Sequence, residues 1–279
     1  DPVTAEVSTD GSSSDPIPHI LQGIVVHARD IRINVDRKDF ILNPTNCERM
    51  TASASVSGLS AVNVSSPFQA ADCASLGFKP KLSLSLSGGT KRTANPRLKA
   101  VLTARKGDAN IRAAVVALPH SEFLEQSHIR TICTRVQFNA GGGNGEQCPK
   151  GSVYGRVKAV TPLLDEPLSG PVYLRSSNHP LPDLVAALHS GKVDINLDGR
   201  IDSVNGGIRN SFEAVPDAPV TKFTLEMQGG KKGLLVNSTN ICRGQHRARA
   251  TYTGQNGKRY EAHPLLKAKC GGKKKRKKH

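Results

Sequence analysis

The chain has no tryptophan, and only 4% of its 279 residues are aromatic. Its core must therefore be built from aliphatic side chains, which bury less area per residue, so cross-links would help hold a modest domain together. No run of eighteen apolar residues occurs, which excludes a helical membrane span. No C-x-x-C pair is present and no histidine spacing imitates a zinc finger, so the cysteines do not read as a metal site. A G-x-S-x-G elbow, a P-loop, a dinucleotide-binding glycine pattern and H-E-x-x-H are all missing, and with them the enzyme classes those motifs define. Asp165-Glu166 is the one conspicuous carboxylate pair, but neighbours in a strand point to opposite faces.

What the chain does have is valine, isoleucine, leucine, threonine and serine in short alternating runs, the composition of strands. It also repeats itself. Leu234-Leu235-Val236-Asn237-Ser238-Thr239-Asn240-Ile241-Cys242 restates Phe40-Ile41-Leu42-Asn43-Pro44-Thr45-Asn46-Cys47. A glycine follows each cysteine at about a dozen residues, Gly58 and Gly254. Pro67 and Pro264 then stand six residues before the second cysteines, Cys73 and Cys270. Upstream, Ile31 and Ile33 match Leu225 and Met227. This is a duplicated β unit. The asparagines of the motif read as turn formers that bond their own backbone, rather than as ligand-binding groups.

Six cysteines allow fifteen pairings. The duplication favours Cys47–Cys73, Cys133–Cys148 and Cys242–Cys270, because each repeat then carries an equivalent bridge. Loops of such length stabilise by roughly 3–4 kcal/mol each on the chain-entropy account, and disulfides imply an oxidising compartment. The expected localisation is secreted or cell surface. Asp1 in place of an initiator methionine reads as a mature form or an excised fragment.

Residues 1–17 read as a linker, 18–75 as a first β unit holding the partial repeat, 76–270 as a larger β unit ending in the second copy, and 271–279 as a disordered basic tail. Within these, Leu82, Leu84 and Leu86 mark the cleanest period-two strand. Two short helices are expected, at Ser121–Arg130, where Ser121 could cap, and at Pro182–His189, where Pro182 suits a first turn. The fold class is all-β: β-sandwich-like units with one or two short helices, stapled by disulfides.

His128-Ile129-Arg130, Cys148-Pro149-Lys150-Gly151-Ser152-Val153-Tyr154-Gly155, Pro162-Leu163-Leu164 and Leu168-Ser169-Gly170-Pro171-Val172-Tyr173-Leu174 form a specific set of motifs. Leu181-Pro182-Asp183-Leu184-Val185 and Gln228-Gly229-Gly230-Lys231-Lys232-Gly233-Leu234-Leu235 extend it. Together they resemble a group of secreted, repeat-containing actinobacterial proteins of uncharacterised function, over most of residues 20–270. The resemblance implies export and a repeated β architecture, and supplies no catalytic residues.

One stretch resembles a metal site. Asp194-Ile195-Asn196-Leu197-Asp198-Gly199-Arg200-Ile201-Asp202 fits a calcium loop at positions one, three, five, six and nine, but Asn205 stands where a bidentate carboxylate belongs. The alternation of Val193, Ile195 and Leu197 favours a β-hairpin turning at Asp198-Gly199. It leaves Asp194, Asn196, Asp198 and Asp202 as a weak calcium candidate, the one cofactor in view. The net charge is +16, and six of those charges are Lys273, Lys274, Lys275, Arg276, Lys277 and Lys278. The tail has no aromatic residues to stack on bases, so it reads as a site for anionic cell-envelope polymers or surfaces rather than a specific nucleic-acid site.

The sequence leads to a non-catalytic extracellular or cell-envelope β module with a structural, adhesion or carbohydrate-binding role. The alternative is a secreted hydrolase acting on envelope polymers, with its site assembled in the fold. The oligomeric state is left open.

Overall fold

Strands dominate the computed structural model, which describes residues 20–27, 29, 30, 32, 34, 42–57, 60–191, 193–204 and 207–270. The expected linker, the Ile31–Val35 and Phe40 strands and the basic tail lie outside the described residues or largely so. Two small hairpins come first, β1 (Ile20–Leu21) with β2 (Ile24–Val25), and β3 (Met50–Ser57) with β4 (Ala61–Phe68). Then follow β5 (Lys81–Ser87), β6 (Arg97–Thr103), β7 (Ile111–Ala117), β8 (Glu122–Leu124), β9 (Val153–Val160), β10 (Leu168–Arg175) and β11 (Asp183–Ser190). The chain continues with β12 (Val193–Val204), β13 (Gly207–Phe212), β14 (Lys222–Met227), β15 (Leu235–Asn237), β16 (Arg249–Gly254), β17 (Arg259–Ala262) and β18 (Leu266–Ala268).

Twelve of these form one sheet, in the order β17-β16-β7-β13-β12-β11-β10-β9-β14-β6-β5-β18. The ladders are antiparallel except β18 on β5. Leu84 and Leu86 of β5, Val172 of β10, Leu184 of β11, Ile201 of β12 and Leu266 of β18 belong to one buried cluster. Strands so distant in the sheet share a core only because the sheet curls over on itself. The two ends of the sheet approach each other just before β16 and β18, where Arg247 and Leu265 form an isolated bridge. The all-β class expected from the sequence is what the structure has. Its two facing layers are halves of one curled sheet.

β11 corrects one expectation. Asp183–Ser190 is a strand, not a helix. Six successive residues of it are buried, because both of its faces are covered. Leu184, Ala186 and Leu188 join the main core, whereas Val185 and Ala187 join a second one with Cys133, Phe138 and Tyr173. A short apolar run buried on both sides carries no periodicity to tell strand from helix. The other expected helix, Ser121–Arg130, is β8 followed by a single 3-10 turn at Gln126–His128. β8 is extended because the second motif copy pairs with it, Leu235 opposite Leu124 and Asn237 opposite Glu122. The α-helix, α1 (Arg135–Asn139), begins at Thr134 in a capping box with Gln137. It lays Phe138 over the outer face of β10 and β11.

Three bridges close Cys47–Cys73, Cys133–Cys148 and Cys242–Cys270. They place the chain outside the reducing cytosol. No described helix is long and apolar enough to cross a membrane. Each duplicated segment is a hairpin between bridged cysteines, β3–β4 in the first and β16–β17 in the second. In both, the last asparagine of the motif makes the local bond expected of it: Asn46 Oδ1 accepts from the Glu48 amide, and Asn240 Oδ1 from the Cys242 amide, each at 3.0 Å. The first copy is tied to the larger unit through Asp217. Its carboxylate accepts from the Thr45 amide and hydroxyl, the Asn46 amide and side chain, and the Asn110 side chain, at 2.7–3.0 Å.

Candidate functional site

The calcium candidate is resolved by β12. This strand runs unbroken from Val193 to Val204, so there is neither a calcium loop nor a hairpin turn at Asp198-Gly199. Gly199 is in the strand for steric reasons: a Cβ there would lie 2.7 Å from both the Asn210 side chain and the Phe212 ring of β13. Asp194, Asn196, Asp198 and Asp202 stand on one face, but an extended strand spreads them over roughly 26 Å. Each carboxylate has its own partner: Asp194 meets His189 Nδ1 at 2.7 Å, Asp198 meets Arg175 at 2.7 Å, and Asp202 meets Arg200 at 3.0 Å and Arg209 at 3.1 Å. Among the described residues, no three His, Cys, Asp or Glu side chains gather as a metal site would require.

The outer face of β11, β12 and β13 does bring polar groups together. Asp183, Asn196, Asp198, Arg200, Ser211 and Glu213 line a cleft of about 240 Å³. Two of its carboxylates are held by Arg175, which contacts Asp198 at 2.7 Å and Asp183 at 3.5 Å and stacks over the Phe138 ring at 5.2 Å. His179 Nε2 adds a 2.7 Å contact to Asp183. Such an array of carboxylate, amide and hydroxyl groups can take hydrogen bonds from a polyhydroxylated ligand.

Two further features were not singled out in the sequence. Glu122 of β8 is fully buried, and neither carboxylate oxygen has a hydrogen-bond partner among the described residues. Burial raises its pKa to about 7, offset in part by the neighbouring Ser121 hydroxyl. Asn237 opposite it is also buried, and its Nδ2 donates to the carbonyls of Gly89 and Lys91. That fixes the motif asparagine as a structural clamp.

The second feature is the inside of the curled sheet. A cavity of about 160 Å³ is lined by residues from β5, β6, β7, β11, β12, β13, β14 and β16, with the β8–β15 pair supplying Leu124 and Leu235. Two polar atoms on its lining residues, Asn210 Oδ1 and Tyr252 Oη, are buried without a partner. Burial drives the Tyr252 phenol far above its ordinary range, and Tyr260 adds to the shift. One sequence signal could have led here: Asn210 alternates with Ile208 and Phe212, a polar residue at a core position of β13.

The basic residues 273–278 proposed for anionic surfaces lie outside the described residues. Comparison with family models, curated proteins and solved structures finds no match to this chain.

Proposed function

We propose that the protein is a non-catalytic extracellular or cell-envelope module with a structural role, one that joins β bodies of its own kind. The observation that carries this is the contrast between the two copies of the duplicated hairpin. Counting from Gly58 and Gly254, Ala52, Ala54 and Val56 correspond to Ala248, Ala250 and Tyr252. The second set is core, at 1%, 0% and 1% exposure. The first set is exposed, with Val56 at 52%. The difference is a neighbouring strand: β16 pairs with β7 as well as β17, whereas among the described residues β3 pairs with β4 alone. Opposite Val56 and Ala54 stand Val62 and Val64, also about half exposed, so the β3–β4 ribbon presents one apolar face, and the outer edge of β3 has no ladder partner among the described residues. A sheet edge like that of β7, in another β body, would complete it as β7 completes β16.

The test places such a body ahead of the chain, by joining residues 76–233 to residues 40–279 at the matching motif. Amide exchange in 50–57 and 61–68 is expected to slow by about 100-fold or more against the unfused chain. In a control fusion, 76–270 ahead of 40–279, the upstream edge is already filled and those amides should stay fast. Equal exchange in both fusions, or an upstream body that folds only in the control, rejects the reading.

The hydrolase reading rests on Asp183, Asp198 and Glu213 lining one cleft. Asp183 and Asp198 are held by Arg175, which leaves Glu213 to act as acid or base. Hydrolysis of an envelope polysaccharide that disappears in Glu213→Gln would establish it, and absence of hydrolysis by the parent chain dismisses it.

A further inference from the structure

We propose that the cavity inside the curled sheet is a binding site for a small uncharged molecule, an aromatic or alkyl compound of about six to ten carbons bearing one hydroxyl group. Its size sets the scale. An engineered cavity of about 150 Å³ with an aliphatic lining admits benzene, and this one is about 160 Å³. A second space of about 90 Å³ adjoins it, sharing Leu102, Ala114, Phe212 and Phe223 as walls, so a ligand can extend beyond one ring. Interiors are otherwise packed to the density of organic crystals, so a space of this size in the middle of the principal core is a feature to be explained.

The lining sets the chemistry. Among the described residues no charged one borders the cavity, so an ionised carboxylate or ammonium would lose its hydration with nothing to replace it. That excludes a fatty-acid anion. The wall is nevertheless not wholly apolar. Tyr252 is 1% exposed, and among the described residues its Oη has neither donor nor acceptor opposite it. Asn210 Oδ1 is in the same position. The two residues stand on β16 and β13, the strands on either side of β7, and both line the space. A buried polar atom left unpaired is costly, and a ligand hydroxyl can satisfy either: it donates to Asn210 Oδ1, or exchanges a bond with the phenol of Tyr252.

The probes are p-cresol and toluene, which differ by the one hydroxyl, titrated into the full chain and followed by the methyl resonances of leucines and by thermal shift. Both are expected to bind, with p-cresol tighter by about 5-fold or more. Tyr252→Phe, Asn210→Leu or the two together should erase the preference and leave toluene binding intact. Ala114→Leu, at the wall common to both spaces, should abolish binding of both, and Ala100→Leu serves in its place should that variant not fold. Failure of either probe to bind at millimolar concentration overturns the proposal, as a closed or water-filled core would give. A p-cresol preference that survives Tyr252→Phe and Asn210→Leu alike overturns the assignment of the polar groups.

Discussion

Gly170→Ala is expected to destabilise the protein by about 4 kcal/mol or more, enough to lower Tm by roughly 10 °C in a domain of this size. Gly170 is in β10, between β9 and β11. A Cβ at this position would run into the Ala187 carbonyl oxygen and lie 3.0 Å from its carbon. Both are backbone atoms of a central strand, so no side chain can swing aside. The next residue is Pro171, which has no N–H to donate. The β10–β11 ladder is interrupted between the Ser169–His189 and Val172–Ala186 pairs. Relief would require β10 and β11 to separate where Val172, Leu174 and Val185 are completely buried. Gly191→Ala is the control: its φ is +60°, but nothing lies within 4 Å of the added carbon, so only about 1 kcal/mol of backbone strain is at stake. Urea unfolding of the two variants, with disulfides intact, distinguishes them. A Gly170→Ala loss no larger than that of Gly191→Ala would show that the strands separate easily and that the close approach does not constrain the sheet.

The same region shows what could and could not be read from the chain. Strands with one dry and one wet face announce themselves: Leu82, Leu84 and Leu86 of β5 alternate with serines, and β5 forms where they do. The bridges were legible because the duplication makes the cysteine pairs equivalent. β11 was not legible, since Asp-Leu-Val-Ala-Ala-Leu-His-Ser is as apolar as a buried helix and its second cover comes from α1, across a disulfide loop. β12 misled for a different reason. Asp198-Gly199 is good turn chemistry, but here the glycine makes room for Phe212 and the aspartate faces Arg175, both from other strands. The cavity is of the same kind. Its walls come from strands spread across the chain, each side chain an ordinary core residue by itself, and only Asn210 breaks the register. The exposed hairpin was visible as sequence but not as exposure, because β3–β4 and β16–β17 carry similar patterns and differ only in what lies beside them.

Glu122 should make stability fall as pH rises, opposite to the usual behaviour of a carboxylate. Its pKa is raised from 4.5 to about 7 because burial removes the carboxylate from water, with the Ser121 hydroxyl offsetting part of that. Between those values the folded chain keeps a proton that the unfolded chain releases. The stabilisation associated with the neutral form is therefore fully present below about pH 4.5 and is lost as pH rises through 7. The full amount is on the order of 3 kcal/mol. Asp202 works in a different window. Burial would raise its pKa, but hydrogen bonds from Arg209 and Arg200 outweigh this and lower it, so its contribution disappears only when pH falls below the ordinary aspartate range. Glu122→Gln keeps the shape of the neutral side chain and cannot ionise. Urea midpoints at pH 5, 6, 7 and 8 should decline for the parent chain and stay nearly level for Glu122→Gln. The two chains should be closest at pH 5, and the variant more stable by about 2–3 kcal/mol at pH 8. Parallel profiles would mean that Glu122 ionises in the folded state at its ordinary pKa. A carboxylate with no partner would then have to reach water, which requires the β8–β15 pair to open.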